Sequence, residues 1–297
     1  MARIDSVSFG GLDFSIVRDD LFPEVGGGNK ARKALEYERE ADSAGANALI
    51  TTGGIQSNHC RAIALLCARR GWKCRLVYHG TRERFESEKG NALIARMCGA
   101  ETVFVGETQI SAAMDEAVRE FRARGFSPYY VRGGGHDICG GVAYVKAVAE
   151  LAASGFAAPD YIFHASGTGS TQAGILVGLE KIGWKNTKVV GISVARNAER
   201  GMRAISEFSE KLAEHCGADL DPSKIIFTDE YVCGGYEKFS PELKHTAATA
   251  ARGLGIIFDT TYSGKALFGM LKYAAANGLA GGRILFWHTG GIFNALA

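Results

Sequence analysis

The chain has 297 residues, enough for two modest domains or one large α/β unit with a substantial core. Its 34 Lys plus Arg stand against 32 Asp plus Glu, and a formal charge of +2 gives no reason to expect a nucleic acid or an anionic membrane as partner. No run approaches the roughly eighteen unbroken apolar residues of a membrane span, so the expectation is a soluble, cytoplasmic chain with a small-molecule partner.

In chain order, the N-terminal "MARIDSVSFGGLDFSIV" is cut by Asp5 and Asp13 before an apolar signal core can form. The strand "FSIVRD" leads to "GGGNKARK", residues 26 to 33. Three glycines give access to positive φ and allow close approach to the backbone, which sets Lys30 at the mouth of a loop feeding the helix "KARKALEYEREADSAG". Two readings stand on this stretch alone. Asn29 caps the helix and Lys30 is solvated, or Lys30 faces inward and carries chemistry.

The strand "ALITTG" enters the turn "TTGGIQSNHCR", where Ser57, Asn58 and His59 cluster at a helix start. Free N–H groups and a serine hydroxyl there suit a carboxylate and make a candidate substrate-binding cup, although Ser57 serves equally as an N-cap. The helix "SNHCRAIALLCARRG" places Cys60 and Cys67 on one face as small hydrophobes, and Cys74 falls in the next strand. The seven cysteines include no C-x-x-C and no zinc-ligand spacing, so free thiols and no metal are expected.

Strands "KCRLVYH", "ETVFVG" and "YYVRG" then alternate with the helical stretches "GNALIARMCGA", "ISAAMDEAVREFRARG" and "GGVAYVKAVAELAASG". "YIFHASGTGSTQAGILVGL" follows as a strand, a Gly/Ser/Thr turn and a helix opening at about Ser170. Exposed N–H groups and hydroxyls at such a turn bind anions, phosphate above all. The spacing is not G-x-G-x-x-G, because Gly167 and Gly169 are followed next by Gly174, and no G-K-[ST] is present. A phosphate-bearing cofactor fits better than a dinucleotide or ATP, beside the plainer reading of an ordinary βα turn. "KVVGISV", "KIIFTD" and "RILFWHT" complete nine candidate strands. Strands alternating with helices indicate a mostly parallel α/β architecture. Nine strands are many for one sheet, so two sheets sharing a crevice are expected, with glycines gathered at the carboxyl ends where ligands bind.

A lysine beside a Gly-rich loop, a phosphate cup and a carboxylate cup together suggest pyridoxal 5'-phosphate, its aldehyde held by the lysine as a Schiff base. "GGGNKARKALEYE", "TTGGIQSNHCR", "ASGTGSTQAG", "DTTYSGKALFGM" and "FWHTGG" occur in the order and approximate spacing of a known family. From about Phe14 to its C-terminus the chain resembles the D-cysteine desulfhydrase and 1-aminocyclopropane-1-carboxylate deaminase family, pyridoxal phosphate enzymes with the tryptophan synthase β-subunit fold. The resemblance implies a fold type II enzyme with two open, mostly parallel sheets flanked by helices. It also implies a homodimer, a large cofactor-binding domain of residues 1–40 and 140–297, and a small substrate-binding domain of residues 41–139.

Residue by residue, the resemblance implies that Lys30 is the Schiff-base lysine and that Asn58 bonds the ring hydroxyl while Ser57 meets the substrate. The backbone of Gly167, Thr168, Gly169, Ser170 and Thr171 would hold the phosphate. Tyr262 in "TYSGK" and Tyr236 in "CGGYE" would flank the substrate and orient or transfer protons, completing a catalytic set with Lys30 and Ser57. Deaminases of the cyclopropane amino acid resemble "YEGK" and "HLGG", with a carboxylate near the pyridine nitrogen; Ser263 and Thr289 stand at those positions here. A hydroxyl makes a weaker electron sink than a carboxylate does, and β-elimination of a thiolate needs less help than opening a ring. The expectation is elimination from D-cysteine to pyruvate, sulfide and ammonia. Deamination of 1-aminocyclopropane-1-carboxylate, and elimination or β-replacement on another β-substituted amino acid, are the alternatives. A pyridoxal phosphate-binding regulatory module is the non-enzyme alternative, and it would need none of Ser57, Tyr236 or Tyr262. Two departures from the family pattern are a shortened segment before "IVRDD" and Ala34 in place of a leucine.

Overall fold

The computed structural model describes residues 3–297. Strands β1 (Ile4–Phe9), β2 (Leu12–Arg18), β10 (Ile284–His288), β7 (Tyr161–Ser166), β8 (Lys188–Ser193) and β9 (Ile225–Thr228) lie side by side in that order, parallel except for the β1–β2 hairpin. A second sheet, wholly parallel, has the order β5 (Glu101–Val105), β4 (Lys73–His79), β3 (Ala48–Gly54) and β6 (Pro128–Tyr130). All nine expected strands form. The tenth, β1, escaped notice because its alternation of small polar and apolar residues is short and half-exposed; Gly10 and Gly11, with φ of 63° and 77°, close the hairpin.

Both faces of each sheet are covered, which is why their central strands read as unbroken apolar runs. On the larger sheet, α6 (Ile138–Ala153) and α7 (Ser170–Ile182) pack Tyr144, Val148, Ile175 and Leu179 against Ile162, Leu285 and Trp287. On its other face, α9 (Pro241–Leu254) and α10 (Ser263–Ala276) pack Ala250, Leu267 and Met270 against Phe163 and Phe286. The smaller sheet carries α1 (Asn29–Ser43), α2 (Asn58–Arg70) and α4 (Gly90–Met97) on one side and α5 (Ile110–Ala123) on the other. Ala34 is fully buried in the first of these layers.

A buried polar network fixes where α1 begins. Asp19 accepts from Arg32 Nε at 2.8 Å, Trp287 Nε1 at 2.7 Å and Tyr144 Oη at 2.8 Å, while its carbonyl takes the Gly28 N–H at 2.7 Å. One carboxylate so ties together the end of β2, α1, α6 and β10. Its donors satisfy it in full, as a buried charge requires. No helix among the described residues is long and apolar enough to cross a membrane.

Candidate active site

The carboxyl ends of β3, β7, β8 and β10 converge on a cavity of about 300 Å³. Lys30 enters it from the first turn of α1. Gly28, with φ of 81°, occupies the N-cap position, and a Cβ there would lie 2.9 Å from Thr289 O. Only a glycine permits this contact, in which "GGGNK" and "HTGG" touch backbone to backbone, Asn29 N donating to Thr289 O at 2.9 Å. Asn29 is therefore the first helical residue and not the cap that one sequence reading gave it; its Nδ2 donates to Thr171 Oγ1 at 3.2 Å. Lys30 Nζ donates to Gly134 O at 2.7 Å, and burial lowers its pKa from 10.5 to about 8.

The phosphate-cup turn lies opposite. Gly169 adopts φ of 97° and hands the chain to α7 at Ser170. None of the backbone N–H groups from Gly167 to Thr171 has an acceptor among the described residues, the arrangement that makes a helix start an anion site. Lys33, one turn beyond Lys30 on α1, is fully buried and donates from Nζ to Ser170 Oγ at 2.7 Å. Burial, reinforced by the charge of Lys30, pushes its pKa well down.

Ser57 caps α2, accepting from Cys60 N at 3.2 Å, and it lines the cavity with Asn58 and His59. Asn58 is held from behind by Asn91 Nδ2 at 3.1 Å and donates to Asn294 Oδ1 at 2.5 Å. Burial, then Lys30 and Lys33, keep His59 neutral, with its Nε2 2.9 Å from Thr51 Oγ1.

Tyr236 and Tyr262 meet hydroxyl to hydroxyl at the cavity wall. Although 39% of Tyr236 is exposed, its hydroxyl is turned inward, and burial pushes its pKa up to about 12; burial also raises that of Tyr262. Both are protonated phenols near neutral pH. The loop carrying Tyr236 is pinned by buried Lys265, which donates to Gly235 O at 2.6 Å and Val194 O at 3.2 Å.

Thr289 lines the cavity and Ser263 does not. Ser263 is fully buried and its hydroxyl donates to Asp259 Oδ1 at 2.7 Å. The Asp259 carboxylate also accepts the N–H groups of Thr261, Tyr262 and Ser263 at 2.8 to 2.9 Å, so it caps α10 and fixes Tyr262.

The cavity lining includes no Asp or Glu among the described residues, while Lys30 and Arg196 face it and Lys33 stands behind the turn. Free amides, the Arg196 guanidinium and a lysine of lowered pKa suit a phosphorylated aldehyde such as pyridoxal phosphate. Lys33, Arg196, Lys265 and Asp259 went unnoticed in the sequence. Two had a local signal there: Lys33 its i, i+3 spacing from Lys30, which places both on one helix face, and Asp259 its place four residues ahead of Ser263 at a helix start.

The turn can be tested directly. A Cβ on Gly169 would approach Ile205 Cγ1 to 3.0 Å, at a φ that β-branched residues avoid. Gly169→Val is expected to weaken cofactor binding by about 1–3 kcal/mol through strain in the turn. Titration of cofactor-stripped protein checks this, and an unchanged affinity would leave an ordinary βα turn.

Comparison with known proteins adds an independent line. The family model described as "Pyridoxal-phosphate dependent enzyme" matches residues 7–290. The chain is 33% identical over 288 residues to the D-cysteine desulfhydrase of Yersinia enterocolitica, covering 95% of this chain and 87% of that one. It is 31% identical over 307 residues to the 1-aminocyclopropane-1-carboxylate deaminase of Methylobacterium sp. (strain 4-46), covering 98% and 90%. A solved structure described as an ACC deaminase homologue superposes with a TM-score of 0.88 at 32% identity, over 99% of this chain and 90% of that one. A threonine deaminase of Solanum lycopersicum, 18% identical with a TM-score of 0.64 over 97% of this chain and 78% of its own, has the same fold.

Proposed function

Since the chain belongs to the pyridoxal-phosphate-dependent enzymes, as a lyase of the D-cysteine desulfhydrase and 1-aminocyclopropane-1-carboxylate deaminase family, we propose that it catalyses α,β-elimination with D-cysteine as substrate. The products are pyruvate, sulfide and ammonia, one water being consumed. The observation that supports D-cysteine is the cavity wall. No carboxylate lines it among the described residues, and the nearby Ser263 hydroxyl is already engaged with Asp259. Such a wall offers little to hold a pyridine nitrogen protonated, which suits a substrate whose thiolate leaves readily.

The bound cofactor supplies an aldehyde for the substrate amine and a conjugated ring that takes up electrons as the α-proton leaves. Every other task falls to the chain. Lys30 would hold the cofactor through Nζ, and the free Nζ amine would take the α-proton. Ser57, Asn58 and the start of α2 orient the substrate carboxylate, with neutral His59 beside them. Tyr236 and Tyr262, being protonated, donate toward the departing sulfur. The large and small domains share this work, the first holding the cofactor and both phenols and the second the substrate carboxylate, and the enzyme acts as a homodimer.

Assays of the purified holoenzyme with D- and L-cysteine, 1-aminocyclopropane-1-carboxylate and other β-substituted amino acids, reading keto acid, test the substrate. D-cysteine is expected to exceed the cyclopropane substrate in kcat/KM by about fivefold or more, since a charged hydrogen bond outweighs a neutral one by roughly 1 kcal/mol or more. Equal or better turnover of the cyclopropane substrate would favour the reading carried by the deaminase relative and structure.

A further inference from the structure

One cation at the cavity has no assigned task. Arg196 follows β8, in a turn locked by Ser193, whose Oγ donates to Arg196 O at 2.6 Å and accepts Ala195 N at 3.2 Å. The side chain is half-buried, lines the cavity, and donates from Nη1 to Thr168 O at 3.1 Å, in the turn with the free amides. It pairs with no carboxylate among the described residues, unlike buried Arg18, Arg32 and Arg75; buried Arg61 also lacks one, but its Nε, Nη1 and Nη2 donate to Asn91 Oδ1, Val25 O and Gly27 O. A guanidinium drawn out of water without a counter-charge is costly, and Thr168 O is the one hydrogen-bond partner of the Arg196 side chain among the described residues. Lys33 reaches the same turn through Ser170 Oγ.

Resting on the pyridoxal phosphate reading, we infer that Arg196 is a phosphate-recognition residue, supplying a charged hydrogen-bonding fork at the outer side of the cup while Lys33 braces the turn from behind through Ser170 Oγ. A guanidinium there offsets part of the charge of a phosphate dianion, which neutral backbone amides alone leave uncompensated. The site thereby distinguishes a phosphorylated from an unphosphorylated aldehyde.

The test measures dissociation constants of pyridoxal phosphate and of pyridoxal for cofactor-stripped wild type, Arg196→Met and Arg196→Lys. Arg196→Met is expected to weaken pyridoxal phosphate by about ten- to a hundredfold, the scale of hydrogen bonds to a charged group, and to leave pyridoxal within about twofold. Arg196→Lys is expected to recover part of the loss. An equal loss for both ligands would reduce Arg196 to a brace for the turn and overturn the inference. So would an unchanged constant for pyridoxal phosphate, with a raised substrate KM then assigning the guanidinium to the substrate. Wild type that binds neither ligand would sink the underlying cofactor reading, a result separable from both.

Discussion

Lys30→Ala is expected to abolish covalent attachment of the cofactor, leave the protein without its visible absorbance, and lower turnover by about 10⁴-fold, the upper range for loss of a positioned base. Burial makes the assignment physically reasonable. An amine must be unprotonated to attack an aldehyde, and with its pKa lowered from 10.5 to about 8, about one Lys30 in ten is so at pH 7, against about one in three thousand unshifted. Cofactor uptake by stripped protein should accordingly quicken as pH rises toward 8 and level off above it. The same shift has a stability sign. An unfolded lysine keeps its proton to higher pH than this one does, so Lys30 costs stability below pH 8 and the cost fades as pH rises from about 8 to 10.5. Lys30→Ala should thus unfold at no lower denaturant concentration than wild type, which separates lost chemistry from lost fold. Borohydride reduction and peptide mass spectrometry locate the attachment, and a label on Lys33 instead would refute the assignment.

That Lys30 and not Lys33 faces the cavity was undecidable from the local sequence. Both are basic residues on one face of α1, and only the approach of Gly134 O to one and Ser170 Oγ to the other separates them. The legible features were those a short segment determines by itself. Alternating apolar runs and glycine punctuation located nine of ten strands, and the change from strand to helical period across "ASGTGS" placed the start of α7 at Ser170. Features requiring two distant segments were not legible. Arg196 sits in "VARNAE", a turn with no composition to mark it, and acquires meaning from its proximity to Thr168. Ser263 was expected near a pyridine nitrogen; "DTTYS" also places an aspartate four residues ahead of it, and the helix start uses that aspartate to engage the serine hydroxyl.

Asp259→Asn is expected to lower stability by about 3–5 kcal/mol, because two oxygens that each accept two hydrogen bonds become one acceptor and one donor. At least one pair of donors then faces an NH₂ group in a site closed to water. There is no room to escape: a Cβ on Gly291 would already lie 2.3 Å from Asp259 Oδ1, so the carboxylate fills the space directly behind the cavity wall. Ser263→Ala, which removes one hydroxyl and leaves the three backbone bonds, should cost only about 1–2 kcal/mol. Urea unfolding of both cofactor-stripped variants measures the difference, and a loss below about 1 kcal/mol in Asp259→Asn would show that the loop rearranges freely. The functional consequence follows from the same bonds. Tyr262 N is one of the donors, and the Tyr262 hydroxyl is partnered by Tyr236, so slack at Asp259 is transmitted to both phenols. Asp259→Asn should lower kcat more than it raises KM, while Ser263→Ala, which leaves the Tyr262 anchor in place, should keep kcat near wild type.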